Sequence, residues 1–529
     1  MATAESSLAT PATAARLCEY FPLHRQHLSR LGEVLVGLVL TAAIAVFTHG
    51  AESLPTPLEA AGYARLSSSS EISEYLERLA RAYPNARVER FGDSVQGRPL
   101  QAILLTQTEG ADVSTSDRLT ILMVGSQHGT EAAGAESLLF IARELLAGGL
   151  RPVLEDIDVV LVPNANPDGR DLGKRANANG INLNIDFVAL TQPESRALVG
   201  ALKCYRPEVV LDIHESAVLK RKSLAREGYM TDFMAQFEAG NNSNIVPALQ
   251  NFAMDDVLES WIASVGGAGI LSHRYFGEIR SSRQPVTNGG LTLNNFRNRA
   301  AIEGAISLLM ESRLDPRDGQ YTTFRNIGVR VALQRICIER LLRLLQHNRA
   351  DALAVIAAAR PQASSAPLTL GSRYVAVPGN PRVKINLRRI DDKALESIEF
   401  ADHRAIATTD QLPFPAAYIV HDHQDEFRAL LDRHGVKYRT LKAGRSENGV
   451  RFEVGSVVAD ANATMDQIRE HPTRVRAEPG DLWIDLAQPR GRLAAVLLEP
   501  RSTSSLFRTA AYFPLFTSGK ALPVYRIPR

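Results

Sequence analysis

Three short stretches of this 529-residue chain carry side chains able to hold a metal ion or move a proton. The first is GSQHGTE, residues 125–131, where His128 and Glu131 stand three residues apart. From a turn or a first helical turn, that spacing lets an imidazole and a carboxylate reach one ion. The pattern H-x-x-E is short, however, and recurs at His423 and Glu426. The second stretch is VVLDIHE, residues 209–215, an apolar run that ends on Asp212, Ile213 and His214. His214 reads either as a ligand or as a core histidine hydrogen-bonded to Asp212. The third, AISLLMESR at residues 305–313, ends on Glu311, which could be a general base or an ion-pair partner of Arg313. Two histidines and a glutamate are the ligand set of hydrolytic zinc centres, which leave a fourth position for water. H-E-x-x-H is absent, because Ser216, Ala217 and Val218 follow His214 and Glu215.

These residues need elements to hold them. Residues 100–105, 119–124, 159–162 and 209–213 are apolar runs without alternation, as strands buried on both faces require. Residues 71–83 place Ile72, Tyr75, Leu76, Leu79 and Ala80 on one helical face, and residues 132–146 and 194–202 are also helical in pattern. Strand and helix alternating at this spacing predicts an α/β fold, a mixed and largely parallel sheet flanked by helices. His128 and His214 then sit at carboxyl ends of strands, where such sheets place their sites. Residues 331–359 read as one long helix. After the Pro/Ala/Ser-rich residues 361–367, strand-like segments at 374–377, 383–387, 418–420 and 494–498 surround one helix at 426–434. The expected division is an N-terminal segment and linker at 1–55, a catalytic domain at 56–360 and a smaller α+β accessory domain at 368–529.

The ordered set of motifs resembles the zinc carboxypeptidase family of the carboxypeptidase A/B type. It runs from FGDSVQGRPL (91–100) through H-x-x-E (128–131), N-P-D-G (166–169), RANANGINLN (175–184) and D-I-H (212–214) to the strand ending in Glu311. The likeness covers roughly residues 63–313, and the C-terminal part looks like the extra domain of some bacterial members. The resemblance implies a zinc-dependent peptidase with Zn2+ held by His128, Glu131 and His214. It makes Glu311 the general base, Arg175 the stabiliser of the tetrahedral oxyanion, and Asn184 a contact for the substrate's terminal carboxylate. That chemistry is coherent: a positioned glutamate can carry the proton of an attacking water, and a permanent cation can offset charge developing on a carbonyl oxygen.

Two departures qualify the likeness. The family's Asn-Arg pair reads Asn184-Ile185 here, and an isoleucine cannot grip a carboxylate bidentately. Either another arginine substitutes, with Arg280, Arg283, Arg297 and Arg299 all preceding Glu311, or the substrate is not a free C-terminal peptide. Asn182 stands where an aspartate usually orients the first zinc histidine. Tyr275 falls in the interval of the family's mobile tyrosine and reads as a packed aromatic. The alternatives are an amidase or deacylase acting on a non-peptide acyl group, and a non-catalytic binding protein of the same fold. A second cluster, His421, His423 and Glu426, reads as surface histidines beside a helix capped by Asp422 or Asp425.

Sixty basic against fifty-eight acidic residues leave +2, which gives no ground for nucleic acid or an anionic membrane as partner. The implied partner is a peptide or peptide-like substrate. Cys18, Cys204 and Cys337 form no C-x-x-C pattern, and Cys204 and Cys337 read as two buried thiols rather than a disulfide. Residues 34–51 are free of charge and follow Arg25 and Arg30, the parts of a secretion signal or an N-terminal membrane anchor. An exported, periplasmic or extracellular protein is the expectation.

Overall fold

The computed structural model describes residues 54–314, 326–362, 366–455, 468–515 and 520–529. The apolar run at 34–51 lies outside them. Among the described residues, no helix is long and apolar enough to cross a membrane.

After a one-turn helix at Pro57–Ala60, the first part of the chain builds helix α1 (Ser69–Ala82) and strands β1 (Ala86–Asp93), β2 (Pro99–Leu105) and β3 (Leu119–Val124). There follow α2 (Ala133–Ala147), β4 (Ile157–Val162), α3 (Pro193–Tyr205), β5 (Val209–Ala217), β6 (Tyr229–Thr231) and β7 (Ala235–Ala239). Helix α4 (Glu259–Gly267), β8 (Ser272–Arg274), α5 (Phe296–Ile302), β9 (Ile306–Leu314), α6 (Ile327–His347) and α7 (Arg349–Gln362) complete it. One eight-stranded sheet runs in the order β1-β2-β4-β3-β5-β9-β7-β8. Its centre, β4-β3-β5-β9, is parallel, while β1, β2 and β7 pair antiparallel to their inner neighbours. Strands β3 and β4 are buried at every residue, which explains their unbroken apolar sequence. The expected mixed α/β architecture is therefore what this part adopts. Helices α1, α2 and α6 cover one face of the sheet, and α3 and α5 the other.

The predicted helix over 331–359 is two helices. Asn348 closes α6 with φ −97° and ψ 18°, so the chain leaves helical geometry before α7 begins. The segment 494–498 is likewise not a strand but the end of helix α9 (Gly491–Leu498), whose every residue is buried. An apolar run buried all round has no period, so pattern alone could not separate helix from strand.

The remaining chain is β-rich: β10 (Leu368–Val375), β11 (Arg382–Arg389), β12 (Leu395–Ala401), β13 (Ala405–Leu412), β14 (Ala417–Val420), then helix α8 (Gln424–His434). After it come β15 (Arg439–Thr440), β16 (Arg445–Val454), β17 (Ile468–Ala477), β18 (Leu482–Asp485), α9 and β19 (Ala521–Ile527). Strands β14 to β19 form a six-stranded sheet. The stretch 368–412 docks on the catalytic part instead: β11 pairs with β6, and a core of Leu224, Ile279, Val286, Ile385, Leu387 and Phe400 joins the two. Cys204 and Cys337 are separate thiols as expected, but Cys204 is exposed. It lies on the outer side of α3, between the buried Leu202 and Tyr205.

Candidate metal centre

Strand β3 stops at Val124, and the loop that follows is shaped by close backbone packing. A Cβ on Gly125 would lie 2.8 Å from the backbone of Gly134, and one on Gly129 only 2.1 Å from that of Gly169. Both sites therefore admit only glycine, which presses the His128 turn onto the N-P-D-G loop. Asn166 locks that contact, capping its own short helix through Gly169 N and donating from Nδ2 to the Gln127 carbonyl at 3.1 Å. Asp168 ties in the 91–100 stretch, accepting from Ser94 Oγ at 2.8 Å, Gln96 N at 3.0 Å and Arg98 Nη1 at 2.6 Å. These two motifs are thus scaffold for the turn that carries His128 and Glu131.

The Glu131 amide donates to the His128 carbonyl at 3.0 Å, a single turn that points both side chains one way. β5 delivers His214 beside them. The imidazole Nδ1 atoms of His128 and His214 are 3.1 Å apart, and Glu131 reaches them at 2.9 and 2.8 Å. Among the described residues this is the one group of three metal-ligating side chains with converging atoms, all within 4.8 Å of one another. Burial pushes the His128 imidazolium pKa down. Burial alone would raise the Glu131 carboxyl, but His128 and His214 outweigh it and hold the group well below the usual range. His214 is raised in turn, Asp212 and Glu131 overcoming the effect of its burial.

The donor set fits a tetrahedral ion. Two ligand atoms bound to zinc at about 2.05 Å stand about 3.3 Å apart at the tetrahedral angle, a few tenths beyond the separations here. Each ring is also oriented from behind. His128 Nε2 meets Asn182 Oδ1 at 2.8 Å, and His214 Nε2 meets Asp212 Oδ1 at 2.9 Å. A proton on each Nε2 leaves both Nδ1 lone pairs aimed at the common centre. Asn182 therefore does what the absent aspartate would do, with a neutral acceptor.

Glu311 lies on β9 in parallel register with His214 on β5, so the two side chains share one face of the sheet. It is half-buried. Removal from water raises its carboxyl to about 7, His214 opposing and Glu131 adding to the shift. Arg313 does not hold it, because that guanidinium pairs with Asp232 at 3.1 Å. Arg175 joins the cluster by ion-pairing through Nη1 with Glu131 Oε1, and its side chain is 56% exposed. Asn184 is adjacent too: Oδ1 accepts from Phe296 N at 2.9 Å and Nδ2 lies 3.3 Å from His214 Nε2. Ile185, next along, is 61% exposed. Arg280 pairs with Glu278, Arg283 is exposed, Arg297 is buried against Glu238, and Arg299 is buried against Glu303.

Tyr275 is half-buried beside Glu311 and Glu238, and among the described residues its hydroxyl has no hydrogen-bond partner. The second cluster does not converge. His421 pairs with Asp481 at 3.0 Å, while His423 Nδ1 stands 3.6 Å from Glu426. His423 itself is the N-cap of α8, without a side-chain cap bond, so neither Asp422 nor Asp425 caps that helix.

Pattern reading missed Glu215. Its amide donates to Glu131 Oε2 at 3.1 Å, and its buried carboxylate accepts from Ala133 N at 3.0 Å and from Arg330 Nε at 2.6 Å. Adjacency to His214 was a usable signal for Glu215; nothing in the sequence marks Arg330.

Two imidazoles and a carboxylate converge at the carboxyl ends of a parallel sheet with Glu311 in register beside them, an arrangement able to hold a metal ion. Comparison with known proteins gives the class. Residues 72–204 match the family described as zinc carboxypeptidase. "Carboxypeptidase 2" of Trichophyton rubrum is 22% identical over 479 residues, spanning 86% of this chain and 85% of that protein. The protein of the same description from Trichophyton equinum is 23% identical over 487 residues, spanning 86% and 85%. A metallo-carboxypeptidase structure from Burkholderia cenocepacia superposes with TM-score 0.41 at 17% identity, covering 54% of this chain and 71% of that one. The protein is a metallopeptidase, and hence a hydrolase.

Proposed function

We propose that this protein is a carboxypeptidase-like hydrolase of peptide bonds, with Zn2+ held by His128, Glu131 and His214 and Glu311 as general base. The observation that carries it is the convergence of His128 Nδ1, His214 Nδ1 and the Glu131 carboxylate, with Glu311 level with His214 across β5 and β9. Bound zinc would supply Lewis acidity and a water of lowered pKa. The rest is the work of the chain's own groups. A Glu311 carboxyl of pKa near neutrality takes a proton from an attacking water and returns it to the leaving amine. The Arg175 guanidinium, exposed at the edge of the cluster, offsets the charge that develops on the carbonyl oxygen once it exchanges Glu131 for the substrate. Asn184, fixed beside His214 by the bond from Phe296 N to its Oδ1, is the residue that would contact the substrate's terminal carboxylate.

The test is metal analysis of the purified protein together with hydrolysis of N-acyl dipeptides by the native chain and the Glu311→Gln variant. Stoichiometric zinc and a loss of about 10²–10⁴-fold in kcat are expected. Protein without zinc affinity, or a fully active Glu311→Gln variant, sinks the reading. Exposed Ile185 favours one alternative, an amidase or deacylase of a non-peptide acyl substrate; cleavage confined to blocked or non-peptide amides would establish it. We also propose the division into a catalytic domain at 56–360 and an accessory domain at 368–529. Export to a periplasmic or extracellular location, with or without an N-terminal anchor, completes the proposal and rests on the sequence of residues 34–51.

A further inference from the structure

We propose that Tyr374, on β10 and outside the sheet that carries the metal centre, is a positioning residue for the hydrolysis, holding with Ser504 the loop 288–296 beside that centre. This rests on the hydrolase reading above. It adds that the C-terminal part of the chain is a working component of the site.

The loop reads Asn288-Gly-Gly-Leu-Thr-Leu-Asn-Asn-Phe296, with two adjacent glycines and no charged side chain, so it has little of its own to fix its shape. Both of its ends bear on the site. At one end Phe296 N donates to Asn184 Oδ1 at 2.9 Å, and Asn184 Nδ2 lies 3.3 Å from His214 Nε2. At the other, Gly289 N donates to the two Glu238 carboxylate oxygens at 3.2 and 3.1 Å. Glu238 lies on β7, where Gln236 stands directly opposite Glu311 of β9. Two residues further on, Glu238 faces the same side of the sheet as Glu311 and His214. The loop thus links that face to Asn184.

Both parts of the chain hold the loop. From the first part, Asn298 Nδ2 donates to the carbonyls of Gly290 and Thr292 at 2.9 and 3.0 Å, and Arg297 is buried against Glu238. A Cβ on Gly289 would lie 2.6 Å from Glu238 Oε2, so the backbone is pressed onto that ion pair. From the C-terminal part, the Tyr374 hydroxyl donates to the Gly289 carbonyl at 2.6 Å and accepts from Asn241 Nδ2 at 3.0 Å. Ser504 Oγ accepts from Leu293 N at 3.0 Å, and the Leu293 side chain is buried in the apolar core of the C-terminal part. The strand that brings Tyr374 is itself fixed. It pairs with β13, and its Thr369 exchanges two hydrogen bonds with Asn244, at 2.8 and 3.0 Å. A side chain that only stabilised the fold would shift unfolding and leave the constants of the folded enzyme alone. One that sets the loop moves substrate binding, because small misplacements at a site are costly.

The experiment compares the full chain loaded with zinc as native protein, Tyr374→Phe and Tyr418→Phe. Tyr418 is buried in the same part, and its hydroxyl donates to Glu499 at 2.7 Å rather than to the loop. Tyr374→Phe should raise KM for N-acyl dipeptides about 10-fold, the order of one hydrogen bond to a buried group, with kcat within about 3-fold of native and zinc affinity unchanged. Tyr418→Phe should lower the urea midpoint and keep the native KM. A native KM in Tyr374→Phe, or an equal rise in Tyr418→Phe, overturns the proposal. If Tyr374→Phe misfolds by circular dichroism, Ser504→Ala takes its place, with a KM rise of the same order expected. Absence of zinc binding or of any hydrolysis by the native chain defeats the hydrolase reading instead. Amide hydrogen exchange then decides for Tyr374: exchange at Gly289 and Leu293 should be about 10-fold faster in Tyr374→Phe, and unchanged rates overturn the proposal.

Discussion

Arg330 on α6 is the perturbation from which most can be learned, because it acts on the metal centre without touching it. Its Nε and Nη2 clasp the Glu215 carboxylate at 2.6 and 2.5 Å, and both side chains are buried. Glu215 follows His214 directly, its amide binds Glu131, and its carboxylate binds the amide of Ala133 at the start of α2. Replacing Arg330 by Met leaves a carboxylate uncompensated in the interior, which costs about 3–5 kcal/mol. Replacing Glu215 by Gln as well removes the orphaned charge while keeping an acceptor for Ala133 N, so the double variant should recover at least about 2 kcal/mol of the loss. The chain has two tryptophans. Trp261 is fully buried, its ring 4.0 Å from that of Phe237 in the catalytic core, and Trp483 lies on β18 of the accessory part. In a Trp483→Phe background, urea unfolding followed by Trp261 fluorescence reads the catalytic core alone. Zinc affinity, read by competition with a chromophoric chelator, should fall by about 10-fold in Arg330→Met, the usual consequence of losing a partner behind the ligands. Additive effects in the double variant, or a single-variant cost below about 1 kcal/mol, would refute this account of the pair.

Three other outcomes follow. Asn182→Asp should tighten zinc binding by giving His128 Nε2–H a charged acceptor, and Asn182→Leu should weaken it about 10–100-fold; equal affinities would mean that Asn182 does not orient His128. His434 on α8 donates from Nε2 to the Val188 carbonyl at 3.0 Å, receives Arg299 Nη2 at Nδ1 at 3.5 Å, and is faced by Arg299, Lys203 and Arg433. Burial first, then Arg299, holds its pKa well below the usual value. Since the unfolded chain takes up a proton near pH 6.5 that the folded site refuses, stability is full above that pH and falls by about 1.4 kcal/mol per unit below it. His434→Gln should flatten this slope between pH 6.5 and 5 in urea titrations, and an unchanged slope rejects the assignment. In a Cys18→Ser background, a thiol reagent should label exposed Cys204 in native protein and Cys337 only after unfolding; native labelling of both contradicts the burial of Cys337.

Local sequence carried much of the fold because the central strands are buried on both faces, and nothing but a continuous apolar run survives there. Where burial is complete but the element is helical, as in α9, the same run misleads. The break at Asn348 was also invisible, since polar residues there suit a long helix as well as two short ones.

For the site, each stretch read two ways by itself, and it was the family that the ordered motifs resemble that singled out His128, Glu131, His214 and Glu311. Tertiary structure decided how those groups are held and what they face. Asn182 reaches His128 across 54 residues, and Arg330 reaches Glu215 across 115. The physical reason is that a ligand's chemistry is a property of its own side chain. Its orientation, charge state and substrate partner depend on groups that only packing brings within hydrogen-bond or Coulomb range.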